Sequence, residues 1–123
     1  AGQRALAAWH MGWEPALHAS GSVWQSPLLA DTLTDPYSAV RYIAHKALVK
    51  QPGFVAYKYD FVADEAKRLA KQKEAMGIWL REQRIKIPLP AGPVLLNAKG
   101  VRDVDRVQTL IHTRNNRPMR LRE

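Results

Sequence analysis

The 123-residue sequence contains no cysteine. That absence excludes disulfides, thiolate metal sites, covalent haem attachment and a cysteine nucleophile within this chain. No apolar run approaches the roughly 18 residues of a membrane-crossing helix, and no signal-peptide pattern opens the chain. The seven glycines are scattered, mostly at ends and turns, so no phosphate-cradling loop is present. The four histidines, His10, His18, His45 and His112, include no i, i+4 pair and no HExxH; Glu14 stands four after His10 but lacks a third ligand. No serine elbow occurs, and Asp103 and Asp105 fall two apart, on different faces of a helix. The sequence therefore offers no catalytic residues and no metal site, and a non-enzymatic role is expected.

What is present suits a small packed domain. Apolar residues make up 46% of the chain, enough for one core, so residues 1–123 read as a single domain. The chain opens on Ala1 with residues that already read as helix interior, so a fragment cut from the C-terminal part of a longer protein is expected. Net charge is +8 and unevenly placed. Residues 1–50 carry four Lys/Arg against three Asp/Glu, and residues 51–123 carry fifteen against eight. A basic second half suits an anionic partner, with Lys67, Arg68, Lys71 and Arg81 as candidate contacts; the same residues also suit a merely solvated helix face.

Nearly every strong period is helical. Leu6, Trp9, Trp13 and Leu17 recur at spacings of three and four over residues 3–18, with Pro15 ending or bending that helix. A short helix carrying Trp24, Leu28, Leu29 and Leu33 follows, capped by Ser22 or Ser26 and holding Pro27 in its first turn. Asp35-Pro36 then reads as a cap followed by proline at the first helical position. Val40, Ile43, Ala44, Ala47 and Leu48 form the inner face of the helix it starts, and Pro52-Gly53 stops it. Residues 54–62 alternate aromatic and polar types, but no second strand is available, so an extended connection with its aromatics on the helices is expected. A helix of about 20 residues should run from Asp64 to Arg84. Its apolar stripe would be Ala66, Leu69, Ala70, Met76, Trp79 and Leu80. Residues 85–123 read as a Pro-rich connector, a short helix with Asp103 as cap and Val104, Val107 and Ile111 on one face, and a basic tail. The four tryptophans read as core filling, or, for Trp9, Trp13 and Trp24, as an aromatic patch left for a partner.

The stretch from Leu33-Thr34-Asp35-Pro36 to Val40-Arg41-Tyr42-Ile43-Ala44 and Ala47-Leu48 resembles a HEAT repeat. The resemblance implies an all-α fold of HEAT-like antiparallel helix pairs (an α-α superhelix), with a long C-terminal capping helix and extended connectors. It makes Asp35, Pro36, Val40 and Arg41 a structural motif, Asp35 capping the second helix and Arg41 pairing with groups of the adjacent turn. The run from Ala5 to Leu48 and the ending Arg114-Asn-Asn-Arg-Pro-Met-Arg-Leu-Arg-Glu123 also resemble the C-terminal helical domain of bacterial multihaem (deca-haem type) c-type cytochromes. That resemblance implies a periplasmic or otherwise exported parent protein in electron transfer. Its haem c would lie in an upstream haem-binding domain of the same chain, with no cofactor in this segment. The expected function is a non-catalytic scaffold or interaction domain, with an acidic protein as a further candidate partner. The alternative is a basic HEAT-like nucleic-acid-binding module, suggested by a pI near 10.1 but lacking any base-reading motif.

Overall fold

The computed structural model describes residues 1–21, 23–83 and 102–113. The chain divides into two compact units, Ala1–Ile87 and Pro88–Glu123. Six α-helices and no β-strand occur among the described residues, so the fold is all-α. Ser22, the connector from 84 to 101 and the basic tail from 114 to 123 lie outside the described residues.

The first unit holds α1 (Gly2–Met11), α2 (Glu14–Ser20), α3 (Gln25–Thr32), α4 (Ser38–Leu48) and α5 (Glu65–Gln83). Helix α4 packs against α1 and α3, and α3 also packs against α5. The inner face of α4 is that expected from its period: Val40, Ala44, Ala47 and Leu48 are buried and Ile43 is half-buried. Its alanines allow α1 to approach closely. A Cβ built on Gly12 would lie 2.7 Å from both Cα and Cβ of Ala47, so only glycine fits there.

The N-terminal helix differs from expectation. Residues 3–18 are two helices, broken at Gly12–Trp13, and Pro15 lies in the first turn of α2 instead of ending α1. Proline suits that position because its missing N–H has no intrahelical partner there. The end of α1 is fixed from α4's side of the core: Lys50 Nζ donates to the Gly12 carbonyl at 3.0 Å, and Gln51 Nε2 donates to the Met11 carbonyl at 2.9 Å. Those bonds occupy carbonyls that a helix C-terminus leaves unsatisfied.

Helix α4 starts later than Asp35-Pro36 predicts. Its first helical residue is Ser38, and the flanking Tyr37 makes no side-chain cap. Asp35 works one turn earlier, where Oδ1 accepts the Tyr37 N–H at 3.0 Å and closes the turn that leads into the helix. Helix α3 begins at Gln25 without a side-chain cap; Ser26 lies buried inside it, and Pro27 is in its first turn as expected.

Residues 54–62 form a strap pinned by its aromatics, but it is not extended throughout: the Tyr57 N–H closes a turn on the Phe54 carbonyl at 2.9 Å, and the Ala63 N–H closes one on the Asp60 carbonyl at 3.3 Å. Phe54, Tyr57 and Tyr59 are buried, while Val55 and Val62 point to solvent. The Tyr57 hydroxyl donates to the Lys71 carbonyl at 2.7 Å, and the Tyr59 hydroxyl donates to the Leu33 carbonyl. Burial pushes both hydroxyls above the ordinary tyrosine range, and for Tyr57 the nearby Glu74 adds to it.

Helix α5 begins after Asp64, whose Oδ1 accepts the Lys67 N–H at 2.9 Å. It is turned relative to the predicted stripe. Ala75 and Trp79 are buried, but Leu69 and Leu80 are exposed, as are Ala66 and Ala70. The half-buried positions mix Met76, as expected, and Ile78 with the polar Arg68, Lys71 and Gln72. Gln72 Nε2 donates to Asp31 Oδ1 at 2.9 Å, and Arg68 NH1 donates to the Ala63 carbonyl at 2.6 Å. These hydrogen bonds hold Gln72 and one guanidinium nitrogen of Arg68, whereas the Arg68 Nε is buried without a partner among the described residues.

In the second unit the described residues form α6 (Val104–Thr113). Asp103 Oδ1 accepts the Arg106 N–H at 3.0 Å, the expected cap. Val107 is buried and Ile111 half-buried, but Val104 is exposed.

Candidate functional site

The residues of the Asp35–Arg41 motif converge on one turn. Asp35 is 1% exposed, and its carboxylate meets Arg4 from α1, with Nε at 2.6 Å from Oδ2 and NH2 at 3.4 Å from Oδ1. The two-point contact is the strong geometry for an arginine–carboxylate pair. Sequence reasoning did not connect Arg4 to this site, 31 residues away along the chain. Arg41 is 7% exposed and serves the same turn from the other side. Its NH1 donates to the carbonyls of Asp35 at 2.6 Å and Pro36 at 2.9 Å, and its Nε donates to the Phe61 carbonyl at 2.7 Å. Burial, and then the neighbouring Arg68, pull the Arg41 guanidinium below its ordinary value. Arg41 thus joins the α3–α4 turn to the strap, while Val40 beside it is in the core.

The four cations proposed for an anionic partner are mostly engaged nearby. Lys67 pairs with Asp64 at 2.9 Å, and the side-chain and backbone bonds of that pair lower the Asp64 carboxyl and raise the Lys67 ammonium. Lys71 pairs with Glu74 at 2.8 Å and its Nζ lies 5.4 Å from the centre of the Tyr57 ring. Arg68 is half-buried on the Ala63 carbonyl, and Arg81 is exposed. Counted over residues 64–83, five Lys/Arg meet four Asp/Glu, whereas residues 84–123 carry nine against three. The positive charge of the chain is therefore not that of α5.

A cleft of about 290 Å³ lies beside this helix, lined by Tyr59, Asp60, Ala63, Lys67, Ala70, Lys71 and Glu74. Among the described residues no group of three His, Cys, Asp or Glu side chains could hold a metal ion. There is no cysteine to form the thioether bonds of c-type haem. His45 has its Nε2 3.2 Å from the Tyr57 carbonyl, between the rings of Tyr57 and Tyr59.

The tryptophans divide into two kinds. Trp79 is 3% exposed and its indole N–H donates to the Val23 carbonyl at 2.8 Å; half-buried Trp24 donates to Ser20 at 3.1 Å. Trp9 and Trp13 are 52% and 46% exposed, and among the described residues neither indole N–H has an acceptor. Their rings stack with centroids 6.2 Å apart and 18° between planes, and His10 sits edge-on to both at 5.0 and 5.8 Å. Leu6, 58% exposed, continues the line one turn earlier. The face of α1 that sequence period assigns to the core is this ridge, because the inward face consists of Ala8 and Gly12. The small-residue spacing Ala8/Gly12 opposite Ala44/Ala47 was the available signal for it.

The ridge presents on the order of 350 Å² of side-chain surface, taking about 250 Å² for a whole tryptophan. That is the size of the largest apolar patch on an ordinary monomer, which is often functional. Comparisons with family models, curated proteins and solved structures return no match for this chain. Among the described residues no helix is long and apolar enough to cross a membrane.

Proposed function

We propose that this chain is a non-catalytic, HEAT-like scaffold and interaction domain whose contact surface is the Leu6–Trp9–Trp13 ridge of α1. The observation that carries the reading is the pair of stacked, half-exposed indoles. Tryptophan is enriched in binding hot spots because it buries much area at little conformational cost. The buried polar groups support the scaffold part. Asp35, Arg41, Gln25, Tyr57 and Tyr59 all bond to groups of the fold itself.

By its resemblance the chain is the C-terminal part of an exported multihaem c-type cytochrome. The partner of the ridge is then the upstream haem-bearing part of the same parent, with haem c held there and not here. The nucleic-acid alternative keeps the net charge of +8 as its support. Against it, three of the four candidate cations on α5 are already engaged.

The test is to read the upstream gene for Cys-x-x-Cys-His modules and titrate this chain with that upstream region. Trp9→Ala with Trp13→Ala should weaken the complex at least about tenfold while leaving the melting curve in place. Equal affinity in the double variant would remove the ridge from the interface, and a gene product without haem modules would remove the cytochrome parent.

A further inference from the structure

We propose that Arg41 and Arg68 form a binding site for a doubly charged tetrahedral oxyanion at the turn that leads from the strap into α5. Its ligand is a free phosphate or sulfate ion, or the terminal group of a phosphomonoester. The site shares no residue with the α1 ridge and stands apart from the reading of that ridge.

The strap brings the two guanidiniums to one place. Arg41 reaches it from α4, with Nε donating to the Phe61 carbonyl at 2.7 Å. Arg68 reaches it from α5, with NH1 donating to the Ala63 carbonyl at 2.6 Å. Only Val62 separates those two residues, whose Cα atoms lie at most about 7 Å apart. The proximity also acts electrostatically: after burial, Arg68 is the next cause that pulls the Arg41 guanidinium down, and both cations act on the Tyr59 hydroxyl.

No carboxylate neutralises the pair. Among the described residues neither arginine has an acid within ion-pairing distance. The acids around the turn are committed elsewhere: Asp35 holds Arg4, Asp64 holds Lys67, and Asp60 Oδ1 accepts the Val62 N–H at 3.0 Å. Like charges brought together in a partly buried place without a counterion repel each other more than they would in water.

The donors left over have the geometry of an oxyanion clamp. Arg68 Nε is buried with no partner among the described residues, where a buried N–H is expected to have one. Arg41 spends Nε and NH1 on three carbonyls and Arg68 spends NH1 on one, which leaves Arg68 Nε and the NH2 group of each for a ligand. Nε and NH2 form one edge of a guanidinium and meet two oxygens of a single anion. Arg4 holds the Asp35 carboxylate with that same edge. Charge selects the ligand, because two guanidiniums match a dianion, whereas a carboxylate would leave one of them uncompensated. Arg41 is only 7% exposed, which favours a compact ion or a single terminal phosphate over a polymer backbone.

The test is a titration of the full chain with phosphate, sulfate and O-phosphoserine, each against sodium chloride of equal ionic strength. Three charge-assisted bonds at a part-open site should give a dissociation constant on the order of 1 mM. About 10 mM phosphate should then raise the melting temperature by roughly 6–11 °C over chloride. In heteronuclear NMR spectra the Arg68 Nε–H signal, identified by its loss in Arg68→Gln, should move and saturate with the same constant. Arg68→Gln should lose the thermal gain, while Arg81→Gln, which removes an exposed cation of the same helix, should keep it. A gain with O-phosphoserine as well as the free ions extends the site to phosphomonoesters, and a gain with the ions alone confines it to them. A stationary Arg68 signal would leave only water on that nitrogen and overturn the site. So would a thermal gain equal in Arg68→Gln, or one that chloride matches, which would reduce the effect to screening.

Discussion

Replacing Arg41 by alanine should unfold the first unit far more easily, because one guanidinium serves three carbonyls in a buried place. It donates to Asp35, Pro36 and Phe61 at 2.6, 2.9 and 2.7 Å and is 7% exposed. Hydrogen bonds to charged groups contribute about 1.5–3 kcal/mol each, but the gain is offset by taking the cation from water. Water entering the cavity of Arg41→Ala can also satisfy some of the carbonyls. A net loss of about 3 kcal/mol is the expectation for removing one partner of a buried charged network. At about 4–8 °C per kcal/mol, the melting temperature should fall by roughly 12–24 °C. Arg41→Lys separates charge from geometry: a single ammonium cannot reach the turn and the strap together, so it should recover less than about half of the loss. Circular dichroism melting of the three proteins is the assay. An alanine variant melting within a few degrees of wild type, or a lysine variant equal to it, would refute the role assigned to the fork.

The remaining expectations use other parts of the fold. Gly12→Ala should cost about 1–3 kcal/mol by forcing α1 off α4, since the added Cβ meets Ala47 at 2.7 Å; urea unfolding reads it, and an unchanged midpoint would deny the close contact. Trp79→Ala should cost about 3–5 kcal/mol and Trp9→Ala within about 0.5, because only the first is buried; similar costs in the same unfolding assay would contradict the division between core and ridge. The Tyr57 and Tyr59 hydroxyls, pushed above the ordinary 10.0 by burial, should resist ionisation. Their contribution to stability is then complete below that pH and lost as pH rises through the raised folded values. Difference spectroscopy of tyrosinate should show ionisation of these two only together with unfolding, and early ionisation in the folded protein would contradict their burial.

The parts of the fold that sequence made legible are those where large apolar residues face inward. Helix α4 was readable because Val40, Ala44, Ala47 and Leu48 repeat without error and are all buried. The strap was readable because aromatics without a partner strand must lie on helices, as Phe54, Tyr57 and Tyr59 do. Helix α1 was misread for the opposite reason. Close helix approach selects small residues, so Ala8 and Gly12 face α4 and the conspicuous Leu6, Trp9 and Trp13 stay outside. Helix α5 was misread because Gln72 and Arg68 have acceptors supplied by distant or preceding segments, Asp31 and Ala63, which no periodicity reveals. The Arg4–Asp35 pair is hidden likewise, since it joins helices whose adjacency exists only in the folded chain. Of the candidate surface, the tryptophans were visible as an aromatic cluster, but their exposure was not.

The central claim, that the ridge is a surface made to be covered, is tested most directly by oxidative footprinting of tryptophan in this chain alone and in complex with the upstream region proposed as its partner. In the isolated, dilute chain Trp9 and Trp13 should be modified readily and Trp79 protected, following their exposures of 52%, 46% and 3%. In that complex Trp9 and Trp13 should become as protected as Trp79. Equal modification of Trp9 and Trp13 in both contexts would contradict the account.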